Sequence, residues 1–357
     1  MTTARILNVV PEKDYRGLEG VNYSSLSNLA SSPQSYKAEE RKEETSYMLL
    51  GSVVDLLLTN KQRFDDEVYV MTAKKPSAET MLTYCSTLAE TGDSLKAYHA
   101  SGYKITPNAV ATKFDKEGRA YFDALLEGQG KMIIDAEMLF TANQIVAELT
   151  SNPFTKRYFI EEDGVDLLFQ VPITWSIKFK SLITGENAIA PAKSMLDVIR
   201  IDHHNKLIQP VDLKTGGEGF IKSFWRYHRY LQAAMYTDAV ACSQWDRGTD
   251  LREYTLEPMR FVYADTNLFL SPTVFKMSSK DIAVGREGID YIEPISGSVK
   301  QDVDTIYFGT LGQTKRKGYI QLTAELDWHM KNDRWNYPYE IYKNNGEVDF
   351  SAFGVKF

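Results

Sequence analysis

Asp212 and Lys214 stand two positions apart in the string PVDLKTGG, so a strand would project both from one face. Asp197 precedes them in AKSMLDVIRI, with a polar, turn-like Asp202-His203-His204-Asn205 between the two strings. If that tetrapeptide closes a hairpin, Ile201 faces Lys206 and Asp197 faces Pro210. Asp212 is then the diagonal neighbour of Asp197, about 7–8 Å away. Two carboxylates at that separation can lean onto one hard cation, because Mg²⁺ takes oxygen ligands and keeps several waters. Such an ion acidifies water and acts as a Lewis acid toward a phosphate oxygen, while a lysine alongside positions the water or neutralises developing charge. The chemistry would be phosphodiester hydrolysis. A D-x-K triplet alone is usually just the solvated face of a strand, and its company gives it weight. Gly216 and Gly217 follow, then Gln232 and Tyr236 at i, i+4, with Trp225 and Arg229 on or near that face. Lys214, Lys222, Arg226 and Arg229 set four positive charges against Glu218, which suits a phosphate backbone.

Several elements must position these residues. Period-two apolar residues predict a strand over 165–177, containing Phe169, Val171, Ile173 and Trp175. Two more strands are expected over 193–201 and 206–214, a long aromatic-rich helix over 220–240, a strand over 259–264, and helices over 278–289 and 322–331. Before them, residues 1–150 read as mainly helical. Ser24 and Ser25 can cap a short helix through Leu26 and Leu29, and Ser31-Ser32-Pro33 breaks it and can start another. Residues 48–59 (MLLGSVVDLLLT) form an apolar run interrupted by Gly51 and Asp55, residues 74–119 read as loops and short helices, and 134–150 as an amphipathic helix. Lys37, Arg41 and Lys42 read as a solvated charged face. Residues 151–357 would carry the sheet and its covering helices, giving an α/β (α+β) class with an N-terminal helical part and one compact whole.

Composition narrows the field. The chain has 357 residues, formal charge −7, 43% hydrophobic and 25% charged residues, an ordinary globular profile. No long apolar run suggests a membrane span, and MTTARILNVVPEKDYRG lacks the apolar stretch of a secretory signal. Cys85 and Cys242 are too few for a disulfide framework, an all-cysteine cluster or a four-cysteine zinc site, so a reducing, cytoplasmic setting is expected. The five histidines show no zinc-protease spacing, and there is no dinucleotide fingerprint, P-loop or nucleophile elbow. Most of the aromatic stripe Trp225, Tyr227, Tyr230 reads as core. His203 and His204 are expected in an exposed turn.

Taken together, these residues resemble the PD-(D/E)XK nuclease superfamily in its RecB-like exonuclease branch, and within it the nuclease domains of the RecE (exodeoxyribonuclease VIII) type and related phage exonucleases. The counterparts are Gly51 with Asp55, then Asp197, then Asp212 and Lys214, then Gln232 and Tyr236. NYSSLSNLASSPQSYK, YHRYLQAAMYTDAV and MRFVYAD add to the likeness, which spans about residues 21–337. The resemblance implies a restriction-endonuclease-like mixed sheet flanked by helices. It also implies Mg²⁺ (or Mn²⁺) held by Asp197, Asp212 and Asp55, with Lys214 activating water and Gln232 and Tyr236 aligning the site. The implied activity is digestion of duplex DNA from its ends, 5′ to 3′, in phage-type recombination. The expected partners are DNA ends gripped by Lys222, Arg226 and Arg229, a single-strand annealing protein and further copies in a ring, with no membrane, in a bacterial or phage-infected cell. Asp55 departs from the family pattern, which has histidine there; it either ligates the ion or is a helix residue with no metal contact. Two other readings keep the fold: a catalytically idle module that binds DNA ends, and a structure-specific or single-strand endonuclease.

Overall fold

The structure, a computed structural model, describes residues 4–6, 12–38, 45–244, 253–266, 271–289 and 316–347. Arg41 and Lys42 lie outside them. The chain divides into two compact units, Met1–Glu43 with Leu149–Phe357, and Glu44–Glu148. The division falls at 43/44 and 148/149, giving two compact units where one compact whole with a boundary at residue 150 was expected. The first 43 residues, however, belong with the sheet rather than with the helices that follow.

Strand β1 (Ala4–Ile6) and helix α1 (Glu12–Gly17) open the first unit, followed by α2 (Tyr23–Ser31) and α3 (Pro33–Lys37). Helix α2 is capped by Asn22 rather than by Ser24 or Ser25: the Asn22 side chain accepts the Ser25 N–H, and the Ser25 hydroxyl closes the reciprocal bond. Ser32 caps α3, with Pro33 in its first turn.

The second unit runs α4 (Ser46–Thr59), α5 (Lys61–Glu67), β2 (Val68–Met71), α6 (Glu79–Thr91), α7 (Ser94–Ser101), α8 (Pro107–Glu117), α9 (Arg119–Glu127) and β3 (Met132–Asp135), and α10 (Ala136–Ser151) crosses its end. Residues 74–119, expected as loops and short helices, are mostly helical, and Met81, Tyr84, Cys85, Val110 and Phe114 form a core of their own. The helix expected from residue 134 starts at Ala136. Ile134 instead belongs to β3, which pairs in parallel with β2, and Asp135 caps the helix by accepting the Met138 N–H at 2.7 Å.

After α10 the first unit resumes with β4 (Val165–Lys180), β5 (Asn187–Asp202), β6 (Leu207–Gly216), α11 (Phe220–Arg226), α12 (Arg229–Ala241), β7 (Ser243–Gln244), β8 (Thr255–Leu256), β9 (Arg260–Asp265), β10 (Thr273–Lys276), α13 (Ser279–Glu287), β11 (Gly288–Ile289), β12 (Arg316–Lys317), α14 (Tyr319–Asn332) and α15 (Tyr339–Lys343). The class is α/β. Among the described residues a mixed sheet runs β10-β9-β6-β5-β4-β1-β7, with β8 beside β6. β4, β5 and β6 are antiparallel neighbours, and β9 lies parallel to β6. Helix α12 packs Leu231, Met235 and Ala239 into a core shared with Ile173, Leu196, Ile199 and Phe261. The single helix expected over 220–240 is two helices. The break falls at His228, whose φ is +52°, where the Tyr227 carbonyl turns to accept Tyr23 Oη at 2.5 Å and Ser27 Oγ at 3.2 Å. Among the described residues no helix is long and apolar enough to cross a membrane.

Candidate active site

The β5–β6 hairpin carries the acidic residues, and its register differs from the expected one. Ile201 faces Ile208 and Val198 faces Val211, two residues beyond the register in which Ile201 met Lys206. The cause is the turn. Asp202 ends β5 instead of starting the loop, and its carboxylate accepts the Asn205 N–H at 2.9 Å and Asn205 Nδ2 at 3.1 Å. Lys206 takes the left-handed turn position at φ +51°. Those bonds, with Arg200 Nη1 3.0 Å away, outweigh burial and bring the Asp202 carboxyl down to about 2. Because the shift is an even number, each side chain keeps its face, but Asp212 now comes opposite Asp197 instead of diagonal to it. Backbone pairing stops at Val198–Val211, and Asp197 Oδ2 accepts the Leu213 N–H at 2.8 Å.

Asp212 is 1% exposed. Gln232 Nε2 donates to its Oδ1 at 2.6 Å, and the Lys214 ammonium contacts its Oδ2. Lys214 Nζ also donates to the Leu213 carbonyl at 3.2 Å. Tyr236, one turn after Gln232 on α12, is buried beneath both carboxylates. Burial, then Asp212 and Asp197, hold its phenol far above the ordinary range, so it stays protonated. Asp197, Asp212, Lys214, Gln232 and Tyr236 therefore share one site, half-open to solvent at Asp197 and Lys214.

Residues distant in sequence complete it. Tyr23 of α2 feels both Arg229 and Asp212, although burial is the main reason its phenol is pushed up to about 12. Tyr15 adds to the electrostatic surroundings of Tyr236. Its segment is pinned from β5, where the buried Lys193 ammonium donates to the carbonyls of Tyr15, Arg16 and Leu18 at 3.1, 3.0 and 2.6 Å. Tyr263 of β9 fixes the glycine-rich turn after β6: its hydroxyl donates to Gly216 O at 2.7 Å and accepts the Gly219 N–H at 3.2 Å.

The three basic residues expected at DNA differ among themselves. Arg226 donates to Glu218 at 2.9 Å and Lys222 stands 4.0 Å from the same carboxylate, so both exposed cations are partly offset. Arg229 is half-buried at the start of α12, its guanidinium 5.5 Å from the Tyr227 ring centre. His203 is half-buried, 2.8 Å from Tyr254 Oη and 3.1 Å from Asp166, and so is more enclosed than its turn suggested. Asp55 lies on α4 of the second unit, half-buried and one turn after Gly51. Among the described residues no three His, Cys, Asp or Glu side chains converge as a ready metal cluster. Asp197 and Asp212 are by themselves a fitting donor set for Mg²⁺, which protein sites commonly hold by one or two carboxylates with water and substrate phosphate completing the shell.

No protein-family profile and no curated protein matches this chain. Among solved structures it is similar to a crystal structure from Eubacterium rectale described as a "Putative exonuclease", at 12% identity and a TM-score of 0.37, covering 77% of this chain and 80% of that one.

Proposed function

We propose that the chain is a Mg²⁺-dependent deoxyribonuclease of the PD-(D/E)XK type that hydrolyses phosphodiester bonds from duplex DNA ends, 5′ to 3′. One observation supports this above the rest: Asp197 and Asp212 meet across adjacent strands with Lys214 and Gln232 both bound to Asp212. Mg²⁺ bound there would supply Lewis-acid stabilisation of phosphate oxygens and a more acidic water. The chain's own groups do the rest. Gln232 fixes one oxygen of Asp212 and so orients the other. The Leu213 N–H anchors Asp197. Lys214, beside Asp212, is placed to neutralise charge developing on the phosphate. Tyr236 holds its proton below the carboxylates, and Arg229 supplies positive charge at the site's edge.

The experiment is digestion of linear duplex DNA labelled at the 5′ end in one tube and the 3′ end in another, with Mg²⁺ or with EDTA. Release of 5′ label alone, only with Mg²⁺, is expected. Asp212→Ala and Lys214→Ala should each lower the rate at least about a hundredfold; full activity in either would refute its catalytic role. End binding without nucleotide release would mark an idle module, and cleavage of a closed circle an endonuclease.

A further inference from the structure

Gln170 lies inside β4 yet has φ +48°, the left-handed region that non-glycine residues avoid. The β4–β5 ladder is in register on both sides of it, Phe169 with Val198 and Val171 with Leu196. The one pair missing between them is Gln170 with Asp197. Across that gap both strands change phase. On β4 the core-facing residues are Val171, Ile173 and Trp175 beyond Gln170, but Leu168 before it. On β5 they are Ala192 and Leu196 before Asp197, but Ile199 and Ile201 after it. A strand that kept its period-two alternation would turn one of these sets away from the core. Asp197, at the phase change, points along the sheet, since its carboxylate accepts the N–H of Leu213 on the neighbouring strand.

We infer that the left-handed backbone of Gln170 is the positioning device for Asp197: it resets the alternation of the β4–β5 pair and so swings that carboxylate sideways to Asp212. The role is carried by the backbone conformation, and its catalytic meaning rests on the nuclease reading above. Gln170→Gly and Gln170→Asn permit the conformation; Gln170→Val forbids it, and Gln170→Ala disfavours it less severely.

The readout is hydrogen exchange at the Leu213 amide in the full chain, with Asp197→Ala as the reference for a lost acceptor, alongside Mg²⁺-dependent cleavage. The Gly and Asn variants should keep Leu213 protected and cleavage within about threefold of the parent. The Val variant should lose about tenfold in both, with Ala between. Should Val fail to fold, the Gly, Asn and Ala series decides. Protection of Leu213 unchanged in Val or Ala would overturn the inference, as would its loss in Gly. If the parent shows the exchange pattern but no metal-dependent cleavage, the nuclease reading fails while the positioning relation stands.

Discussion

His228 joins two unfavourable conditions, a left-handed backbone and a buried imidazole. Burial, then the charge of Arg316, lowers its pKa to about 4. The unfolded chain therefore takes up this proton first, as pH falls below about 6.5. The contribution of neutral His228 to stability is whole above that value and is lost progressively from there down to about 4. Thermal unfolding followed at pH 7.5, 5.5 and 4.5 should show this loss. His228→Asn, which tolerates the left-handed conformation, should flatten the profile across that window. The carboxylates, the lysine and the Gln232–Tyr236 pair are legible in the sequence because they lie close together on consecutive elements. Tyr15 is not, since it reaches the same site from the far end of the chain with no local signal, and Tyr23 shows only as part of a string that resembles the family, without its place at the site. A non-glycine residue at positive φ leaves no compositional mark either, so neither the break at His228 nor the irregular backbone at Gln170 shows in the sequence. Asn22 is legible in type only, as one of several neighbouring residues competent to cap.

At the scale of elements, strand and helix positions follow from periodicity, whereas pairing depends on turn chemistry. The two-residue register difference arises because Asp202 bonds to Asn205 and so belongs to the strand end. Close approach of helices is equally a matter of single residues. A Cβ placed on Gly285 of α13 would collide with the Tyr230 carbonyl oxygen and stand 2.6 Å from Ala234 Cβ on α12. Gly285→Ala must force the two helices apart. A loss of about 1–3 kcal/mol is expected, read by denaturant titration. Because Gln232 and Tyr236 ride on α12, cleavage should fall as well, whereas Gly92→Ala, which meets no neighbour and strains only its own left-handed turn at φ +66°, should leave cleavage unchanged.

The molecule as a whole is organised around an insertion. Glu44–Glu148 separates the first helices from the sheet they pack on. It has a parallel β2–β3 pair and a buried cluster of its own. Residues 44–148 expressed alone should give a helical circular-dichroism spectrum and one cooperative melting transition; a non-cooperative loss of signal would show that its core is incomplete. Nothing in the sequence announces that the first 43 residues group with the sheet, because strand pairing between segments so far apart leaves no local pattern.

β1 pairs with β4 on one side and β7 on the other, and neither partner exists until long after it has been made. As the chain leaves the ribosome, the inserted unit emerges whole and can close while the N-terminal segment still has no neighbour to zip against. The sheet is then sealed at that edge only when Ser243 and Gln244 arrive, which makes closure of that edge a late event in biosynthesis.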